Sequence, residues 1–257
     1  LAWYHFLCQK GHEAVVISPN DYPDFLKWLP GEDEVLKQNQ KPLEVQEKIL
    51  DADLIFTLDF NALGRVQELT YLVRKAPGEK IMIDHHEAPE SYASLQYSDP
   101  SMSSTCEMVY KVIQALDENA FNKEIASCLY TGIMTDTGSF RYSATTSETH
   151  LAISHLIRAG ADGTEIHQKI YDSSSLNRLK LLGITLSNLQ EIPDLPIVFM
   201  TLTQEELTSC NYQKGDTEGF VNYGLSLEGI VFSCILIENE SEGKIKMSFR
   251  SQGTFSV

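Results

Sequence analysis

The residues best suited to chemistry lie where apolar runs end. Asp84, His85 and His86 directly follow the apolar residues 81–83, and Asp59 closes a similar run, LIFTL. In an open parallel sheet, ligands bind beyond the carboxyl ends of the strands, and neighbouring strands deliver their terminal residues to one place. Two carboxylates and an imidazole brought together there repel one another unless cations lie between them. We therefore expect a divalent metal site, for which this mixture of ligands suits Mn²⁺ and, less specifically, Mg²⁺ or Zn²⁺.

A third carboxylate lies in the segment GIMTDTGSFRYS at residues 132–143. An apolar helical run leads to Asp136, and Gly138 allows the chain to turn sharply enough for that carboxylate to point into a site. Arg141 follows within reach of a bound phosphate, where its planar guanidinium can make paired hydrogen bonds. Two strand-end acids, an imidazole and a helix-end acid make up most of a two-metal hydrolase site.

Each of these residues also has an ordinary structural explanation. Taken alone, Asp59 is as readily a turn or helix cap as a ligand, and the T-D-T-G segment is more readily a helix terminus. Arg141 and Arg250, taken singly, are more often salt-bridge partners than substrate-binding groups. The Asp-His-His run at 84–86 is harder to explain in this way, because two adjacent imidazoles after a buried strand have no packing purpose.

Composition and charge limit the class of protein. The chain has 257 residues, 42% of them hydrophobic and 22% charged, which is ample for one large domain or two modest ones, and we predict two. The formal net charge of −16 argues against a protein that grips long duplex nucleic acid, since that requires clustered Lys and Arg. Scattered cysteines without a C-x-x-C pair, and the lack of any apolar run near roughly 18 residues, predict a cytoplasmic protein without a membrane span.

The apolar periodicity predicts an α/β fold with two domains. From residue 1 to about 100, continuous apolar strands alternate with helical patterns, which is typical of a mostly parallel sheet with helices on both faces. A helix-rich stretch follows, in which Ser104 and Glu107 have capping-box spacing. Strand-like runs near the end predict a smaller α+β accessory domain. The predicted limits are 1–170 for the first domain, 171–193 for a helical linker and 194–257 for the accessory domain.

The order of these motifs resembles that of the DHH phosphoesterase superfamily. Asp59, the Asp-His-His run and T-D-T-G are similar in order and spacing to its second, third and fourth motifs, and SFRSQGTFSV at 248–257 resembles part of its accessory domain. TDTGSFRYSATT and the short connector are most similar to the nanoRNase and pAp-phosphatase subfamily. The family pattern also leads us to expect a His-x-x-Pro-Asp-x-Asp-like segment before Leu1 and a G-G-G-H segment after Val257.

The resemblance implies a role for each motif residue. It implies that Asp59 bridges two Mn²⁺ ions and that His85 and Asp136 are terminal ligands of one of them. Asp84 would support the ligands by holding an imidazole tautomer, and His86 would face the scissile phosphate.

Four further residues would bind the substrate. Arg250, in the accessory domain, resembles a residue that closes over the far end of the substrate. Ser103 and Ser104, at a helix N-terminus, can offer backbone amides to a phosphate, and Arg141 would neutralise phosphoryl oxygens. We expect an Mn²⁺-dependent phosphoesterase that hydrolyses short oligoribonucleotides (nanoRNA) and pAp-like nucleotides by a two-metal mechanism.

Two alternatives remain open at this stage. One is a phosphodiesterase for linear or cyclic dinucleotides, or a polyphosphatase, on the same site. The other is a non-catalytic nucleotide-binding regulator, if the protein lacks the first motif. Long duplex nucleic acid and membranes are not expected as partners, and a homodimer is compatible with the sequence.

Overall fold

The chain folds into two units of mixed helix and strand, as its periodicity predicts. A computed structural model describes residues 1–240, 242–253 and 255, and the chain divides after Asp172. The first unit is Leu1–Asp172 and the second Ser173–Val257. The separate linker at 171–193 stays a prediction. None of the helices in the described residues combines the length and hydrophobicity that a membrane span requires.

The first unit alternates helices and strands in its first half and is helical in its second half. Its helices are α1 (Ala2–Gln9), α2 (Pro42–Asp51), α3 (Leu69–Lys75), α4 (Thr105–Leu116), α5 (Lys123–Asp136), α6 (Ser147–Arg158) and α7 (Gly163–Tyr171). Its strands are β1 (Ile17–Ser18), β2 (Leu36–Lys37), β3 (Leu54–Leu58), β4 (Glu79–Asp84) and β5 (Leu95–Ser98).

A parallel sheet of order β3-β4-β5 carries the predicted site residues. Leu58 pairs with Ile83 in this sheet, so the carboxyl ends of β3 and β4 lie side by side. Alternate residues of β3 face opposite sides. Ile55 packs against the core formed by α2 and α3, whereas Phe56 and Leu58 pack against the core that includes α1, α4 and α5. The predicted parallel sheet with helices on both faces is therefore confirmed.

Three local predictions differ from the structure. The run EAVVISP at 13–19 has the apolar pattern of a strand, but it forms only β1, which pairs only with β2 among the described residues, and Val15 is exposed. The pattern at 63–78 is that of one helix, but the chain forms a 3₁₀ helix (Leu63–Val66) and α3, because Gln67 adopts a left-handed conformation with φ of 46°. Strand β5 was not predicted, since its short sequence LQYS has no continuous apolar run.

The second unit is a mixed sheet packed against helices, the predicted smaller α+β fold. Its helices are α8 (Leu176–Ser187) and α9 (Gln204–Ser209), and its strands are β6 (Gln190–Glu191), β7 (Ile197–Leu202), β8 (Phe232–Asn239) and β9 (Lys244–Ser251). The strand order is β6-β7-β8-β9, and only the central β7–β8 pair is parallel among the described strands. Leu181 of α8 lies in the core of this unit. Residues 254, 256 and 257 of the segment likened to the accessory domain lie outside the described residues.

Helix α5 ends at a predicted ligand, and its close packing fixes where that residue lies. The helix buries residues on all sides, as a central helix does. At Gly132 it approaches α4 so closely that an added Cβ would lie 2.1 Å from Sγ of Cys106. By contrast, an added Cβ at Gly183 of α8 would meet no atom within 4 Å.

We predict that Gly132→Ala destabilises the protein by ~1–3 kcal/mol, because overpacking forces neighbouring atoms apart. Adding Cys106→Ala should restore part of the loss. Gly183→Ala is the matched control, and it should stabilise the protein by roughly 0.5–1 kcal/mol through helix propensity. Thermal and urea unfolding measure these changes. Equal effects of the two glycine substitutions would contradict the inferred close contact.

Candidate metal centre

Asp59 leaves β3 through a strained turn. Its φ is 67°, a left-handed conformation that costs a residue other than glycine about 1 kcal/mol or more. The backbone N–H of Asp59 donates to the carbonyl of Ile83 at 3.2 Å, which ties the turn to β4. The hydroxyl of Thr105, at the start of α4, donates to Asp59 Oδ1 at 2.8 Å. The carboxylate is therefore oriented from two elements, although its side chain is 61% exposed.

His85 points one nitrogen at two carboxylates. Its Nε2 lies 3.2 Å from Asp136 Oδ2 and 3.7 Å from Asp59 Oδ1. Its Nδ1 faces the carbonyl of Met102 at 3.2 Å. A carbonyl only accepts, so Nδ1 carries a proton, and Nε2 is left with a lone pair unless it is protonated too. A lone pair directed at two carboxylates requires a positive charge between them, and this arrangement of a backbone-anchored imidazole is common among metal ligands.

Asp84 fixes the orientation of the His86 imidazole through Nδ1 of that ring. Its side chain is fully buried at the end of β4. Its Oδ1 accepts from the backbone N–H of His86 at 2.6 Å, and its two oxygens lie 3.1 and 3.2 Å from His86 Nδ1. Nδ1 therefore carries a proton, and Nε2 points away from Asp84. This contact is the one that the predicted role of Asp84 requires.

Asp136 is the last residue of α5, and it supplies the second carboxylate near His85. Burial raises the pKa of its carboxyl above the ordinary value, and the nearby charge of Asp59 acts in the same direction. The imidazoles of His85 and His86 act in the opposite direction. A divalent cation at this point would favour the ionised carboxylate more strongly than the imidazoles do.

The ligand atoms of Asp59, His85 and His86 all lie within 4.8 Å of one another. Asp136 adjoins this group through His85. The structure thus brings together the three residues predicted as metal ligands, with His86 beside them. Carboxylate oxygen and imidazole nitrogen form a donor set that fits Mn²⁺, Zn²⁺ or another divalent ion. The individual roles of these residues stay predictions.

Cys106 lies beside this cluster but does not have the properties of a ligand. A metal binds the thiolate form of cysteine. Burial raises the pKa of the Cys106 thiol to about 12, which disfavours the thiolate in the absence of a cation. Its contact with Gly132 makes it a packing residue.

The turn after Asp136 is left-handed for three successive residues. Gly138, Ser139 and Phe140 have φ of 57°, 61° and 66°. An added Cβ at Gly138 would lie 2.5 Å from the exposed ring of Tyr142, which would have to move, and the positive φ itself favours glycine there. Nε of Arg141 donates to the carbonyl of Gly138 at 2.9 Å, which fixes the base of the guanidinium on this turn.

The other predicted substrate-binding residues have structural contacts of their own. Ser103 and Ser104 are buried, and the hydroxyl of Ser104 accepts from the backbone N–H of Glu107 at 3.1 Å. The cap predicted at Ser104 is therefore present. The carboxylate of Glu107 accepts instead from the hydroxyls of Ser103 and Thr149, so the second half of a capping box does not form.

Arg250 lies on β9 in the second unit. Its side chain is exposed, and Nη1 donates to the carbonyl of Phe249 at 2.8 Å. Its role in binding substrate stays a prediction, as do those of the backbone amides of Ser103 and Ser104.

Three residues at the site were not predicted. Thr105 orients Asp59, as described above. Asn61 is buried, and its Nδ2 donates to the carbonyls of His86 and Glu87 at 3.1 and 2.8 Å, which fixes the loop after β4. Arg65 brings Nη2 to 3.5 Å from His86 Nε2. The sequence signal available for Asn61 and Arg65 was their position shortly after a strand-end acid.

Comparison with known proteins decides the family. Residues 1–133 match the N-terminal domain of the DHH family. The chain belongs to the DHH family. The expected membership is therefore confirmed, and so is the expected enzyme class, since DHH proteins of this kind are phosphoesterase hydrolases.

Several DHH relatives are similar over much of this chain. A bifunctional oligoribonuclease and PAP phosphatase NrnA from Thermus thermophilus is 30% identical over 257 residues, which are 100% of this chain and 72% of that protein. A Bacillus subtilis protein of the same name is 26% identical over 213 residues, 82% of this chain and 66% of that protein. The crystal structure of an exopolyphosphatase-related protein from Bacteroides fragilis is 42% identical, with a TM-score of 0.96, covering 99% of this chain and 74% of that one. The chain thus spans about two thirds to three quarters of these DHH proteins.

We predict that Asp59→Asn abolishes stabilisation by divalent metal in this DHH protein. In EDTA the variant should unfold at the wild-type temperature or slightly higher, because it carries less negative charge near Asp136. With Mn²⁺ at 100 times its dissociation constant, binding should stabilise the wild-type protein by about 2.7 kcal/mol, and the variant should show little of this gain. Asp51→Asn, an exposed change in α2, should keep the full gain. Thermal unfolding with and without Mn²⁺ measures both, and an unaltered gain in Asp59→Asn would count against the proposed ligand.

Proposed function

We propose that the chain is a cytoplasmic, Mn²⁺-dependent phosphoesterase that hydrolyses short oligoribonucleotides and pAp-like nucleotides by a two-metal mechanism. The observation that carries this proposal is the position of His85. Its Nε2 lies 3.2 Å from Asp136 and 3.7 Å from Asp59, while its other nitrogen faces a backbone carbonyl. The names of the T. thermophilus and B. subtilis relatives, which give those proteins both activities, support the substrate class. The five free cysteines support a reducing compartment.

Asp59, His85 and Asp136 would hold the metal. A bound divalent ion supplies Lewis acidity, which lowers the pKa of a coordinated water and neutralises phosphoryl oxygens. The residues behind the ligands set their direction. Thr105 holds Asp59, and the carbonyl of Met102 holds His85. Because these contacts already exist, the ligands need little rearrangement when the ion binds.

His86 would act on the substrate. Its Nδ1 is held by Asp84, so a proton taken up at Nε2 would point away from the protein core. With a proton at Nε2, the ring can donate to a phosphoryl oxygen or pass that proton to the leaving oxygen. Arg141 would neutralise another phosphoryl oxygen through its remaining N–H groups.

The acidic surface favours a short substrate. A net charge of −16 opposes the binding of a long polyanion. A dinucleotide or pAp carries few phosphates, and the metal ions with nearby arginines can neutralise them. This reasoning supports nanoRNA over long RNA.

A second candidate is hydrolysis of inorganic polyphosphate. The Bacteroides fragilis structure that matches 99% of this chain is described as an exopolyphosphatase-related protein. The same metal centre can act on a phosphoanhydride, because the reacting group is again a phosphoryl group. Rates on polyphosphate, pAp, a linear RNA dinucleotide and a cyclic dinucleotide, measured side by side, separate these functions.

We predict that the natural full-length protein hydrolyses a labelled RNA dinucleotide and pAp with Mn²⁺, faster than it hydrolyses polyphosphate. His85→Ala and Asp136→Asn should each lower kcat/KM by roughly 100-fold or more, because they remove a ligand. Asp51→Asn should match the wild-type rate. Nucleotide binding without turnover, under conditions in which the T. thermophilus relative is active, would instead identify a non-catalytic binder and reject this proposal.

Thr105 provides a separate test of how Asp59 is oriented. We predict that Thr105→Val lowers Mn²⁺ affinity and kcat/KM by roughly 10- to 100-fold, the usual effect of losing a group that orients a ligand. Thr105→Ser keeps the hydroxyl and should restore most of both. Thr164→Val, near the start of α7, is the control at a similar helix position. Metal titration followed by steady-state kinetics measures the effect, and a fully active Thr105→Val would show that this hydrogen bond is dispensable.

A further inference from the structure

Arg65 is a positive group at the rim of the metal centre to which the mechanism above gives no role. It lies in the 3₁₀ helix Leu63–Val66, and its side chain is exposed. Its Nη2 is 3.5 Å from Nε2 of His86, on the side of the imidazole that Asp84 does not contact. This distance is at the limit of a hydrogen bond, so the imidazole alone does not satisfy the guanidinium.

The backbone that carries Arg65 is held in place. Leu63 and Val66 are buried on either side of it. The backbone N–H of Leu63 donates to Oε2 of Glu90 at 3.2 Å, and its carbonyl accepts from the hydroxyl of Thr70 at 2.6 Å. The position of the Arg65 backbone is thus set by packing and hydrogen bonds.

The loop that carries His86 is joined to the same segment of the chain. Asn61, four residues before Arg65, donates to the carbonyl of His86. Asp84 fixes the His86 ring from the other side. The fold therefore holds the backbone of Arg65 close to the loop that carries His86.

Arg65 is also not neutralised by an acid. Within the part of the chain that the structure describes, no carboxylate oxygen lies within 4.0 Å of its guanidinium nitrogens, although Asp84 and Glu90 are close in the fold. Its fork of N–H donors remains available for another anion.

We propose that Arg65 binds a non-bridging oxygen of the substrate's scissile phosphoryl group. Asp59, His85 and Asp136 would hold a cation, and Arg65 places another positive charge beside His86 at the edge of that cluster. Two positive charges so close together repel unless an anion lies between them, and a phosphoryl group has the charge and the oxygens to contact both. This inference rests on the proposed function for the identity of the substrate. Arg65, like Arg141, would bind phosphate oxygens and would not transfer protons.

The test compares Arg65→Ala, Arg65→Lys and the control Arg74→Ala, an exposed arginine of α3. Calorimetry measures the dissociation constants of AMP and inorganic phosphate for the Mn²⁺-saturated protein, and of Mn²⁺ itself. Arg65→Ala should weaken AMP binding roughly 10- to 100-fold, the usual effect of losing a charge-assisted hydrogen bond. Arg65→Lys should be intermediate, because it keeps the charge but loses the planar fork. Mn²⁺ affinity should stay within about twofold of wild type, and Arg74→Ala should change nothing.

Two results would overturn the role of Arg65. One is AMP and phosphate affinity that does not change in Arg65→Ala. The other is a loss of Mn²⁺ affinity as large as the loss of AMP affinity, which would mean that Arg65 only positions His86. If wild-type protein binds AMP through Arg65 but does not hydrolyse pAp or a dinucleotide, the proposed function fails and the phosphate contact stands. If turnover is normal and Arg65→Ala keeps its KM and product affinity, only the Arg65 inference fails. Wild-type protein that binds neither AMP nor phosphate with Mn²⁺ present refutes the Arg65 contact, whereas absent turnover of pAp and the dinucleotide refutes the proposed function.

Discussion

The site depends on the repulsion among electron-rich atoms that surround Nε2 of His85. Carboxylates from the end of β3 and the end of α5 approach this nitrogen, and the imidazole itself follows the end of β4. Side chains free to move would separate. They stay together because the parallel register fixes β3 beside β4 and because α5 is buried on all sides, so the packing of the unit opposes the repulsion locally. A cation neutralises that repulsion, and its binding should therefore stabilise the fold.

Three side chains at the site are each oriented by a hydrogen bond with a neighbouring group. Nδ1 of His85 donates to the carbonyl of Met102, and Nδ1 of His86 donates to the carboxylate of Asp84. The hydroxyl of Thr105 donates to one oxygen of Asp59. The Asp59 oxygen that accepts from Thr105 is also the one 3.7 Å from His85 Nε2, and ligand atoms of Asp59, His85 and His86 lie within 4.8 Å of one another. Orientation of this kind lowers the entropy lost when an ion or a phosphate binds. It also explains why the burial of Asp84 is tolerated, since its carboxylate accepts hydrogen bonds from the backbone and the ring of His86.

The sequence predicts those parts of the fold and the site that leave a local pattern. The continuous apolar runs that become β3 and β4, and the cap at Ser104, are of this kind. The contacts of Arg65 and Asn61 with His86 join residues 21 and 25 positions apart, and they leave no periodicity to read. Strand β5 was missed because its place in the sheet depends on pairing with β4 and hardly on its own residues. Local chemistry is therefore visible in the sequence, whereas the geometry that orients it depends on tertiary contacts.

Three of the residues with a strained backbone lie at the candidate site. Asp59, Ser139 and Phe140 adopt left-handed conformations that glycine would adopt at lower cost, by about 1 kcal/mol each. Each of these three lies at a predicted ligand or in the turn that follows one, whereas Gln67, Ala88, Asp194 and Asn211 also have positive φ and are not predicted ligands. At Asp59 a glycine would have no carboxylate, and the turn through Ser139 and Phe140 leads directly to Arg141, whose Nε bonds back to that turn. Ion binding on the order of 2.7 kcal/mol is comparable with the combined strain. A strained backbone of this kind is therefore better explained by what it positions than by any contribution to the stability of the fold.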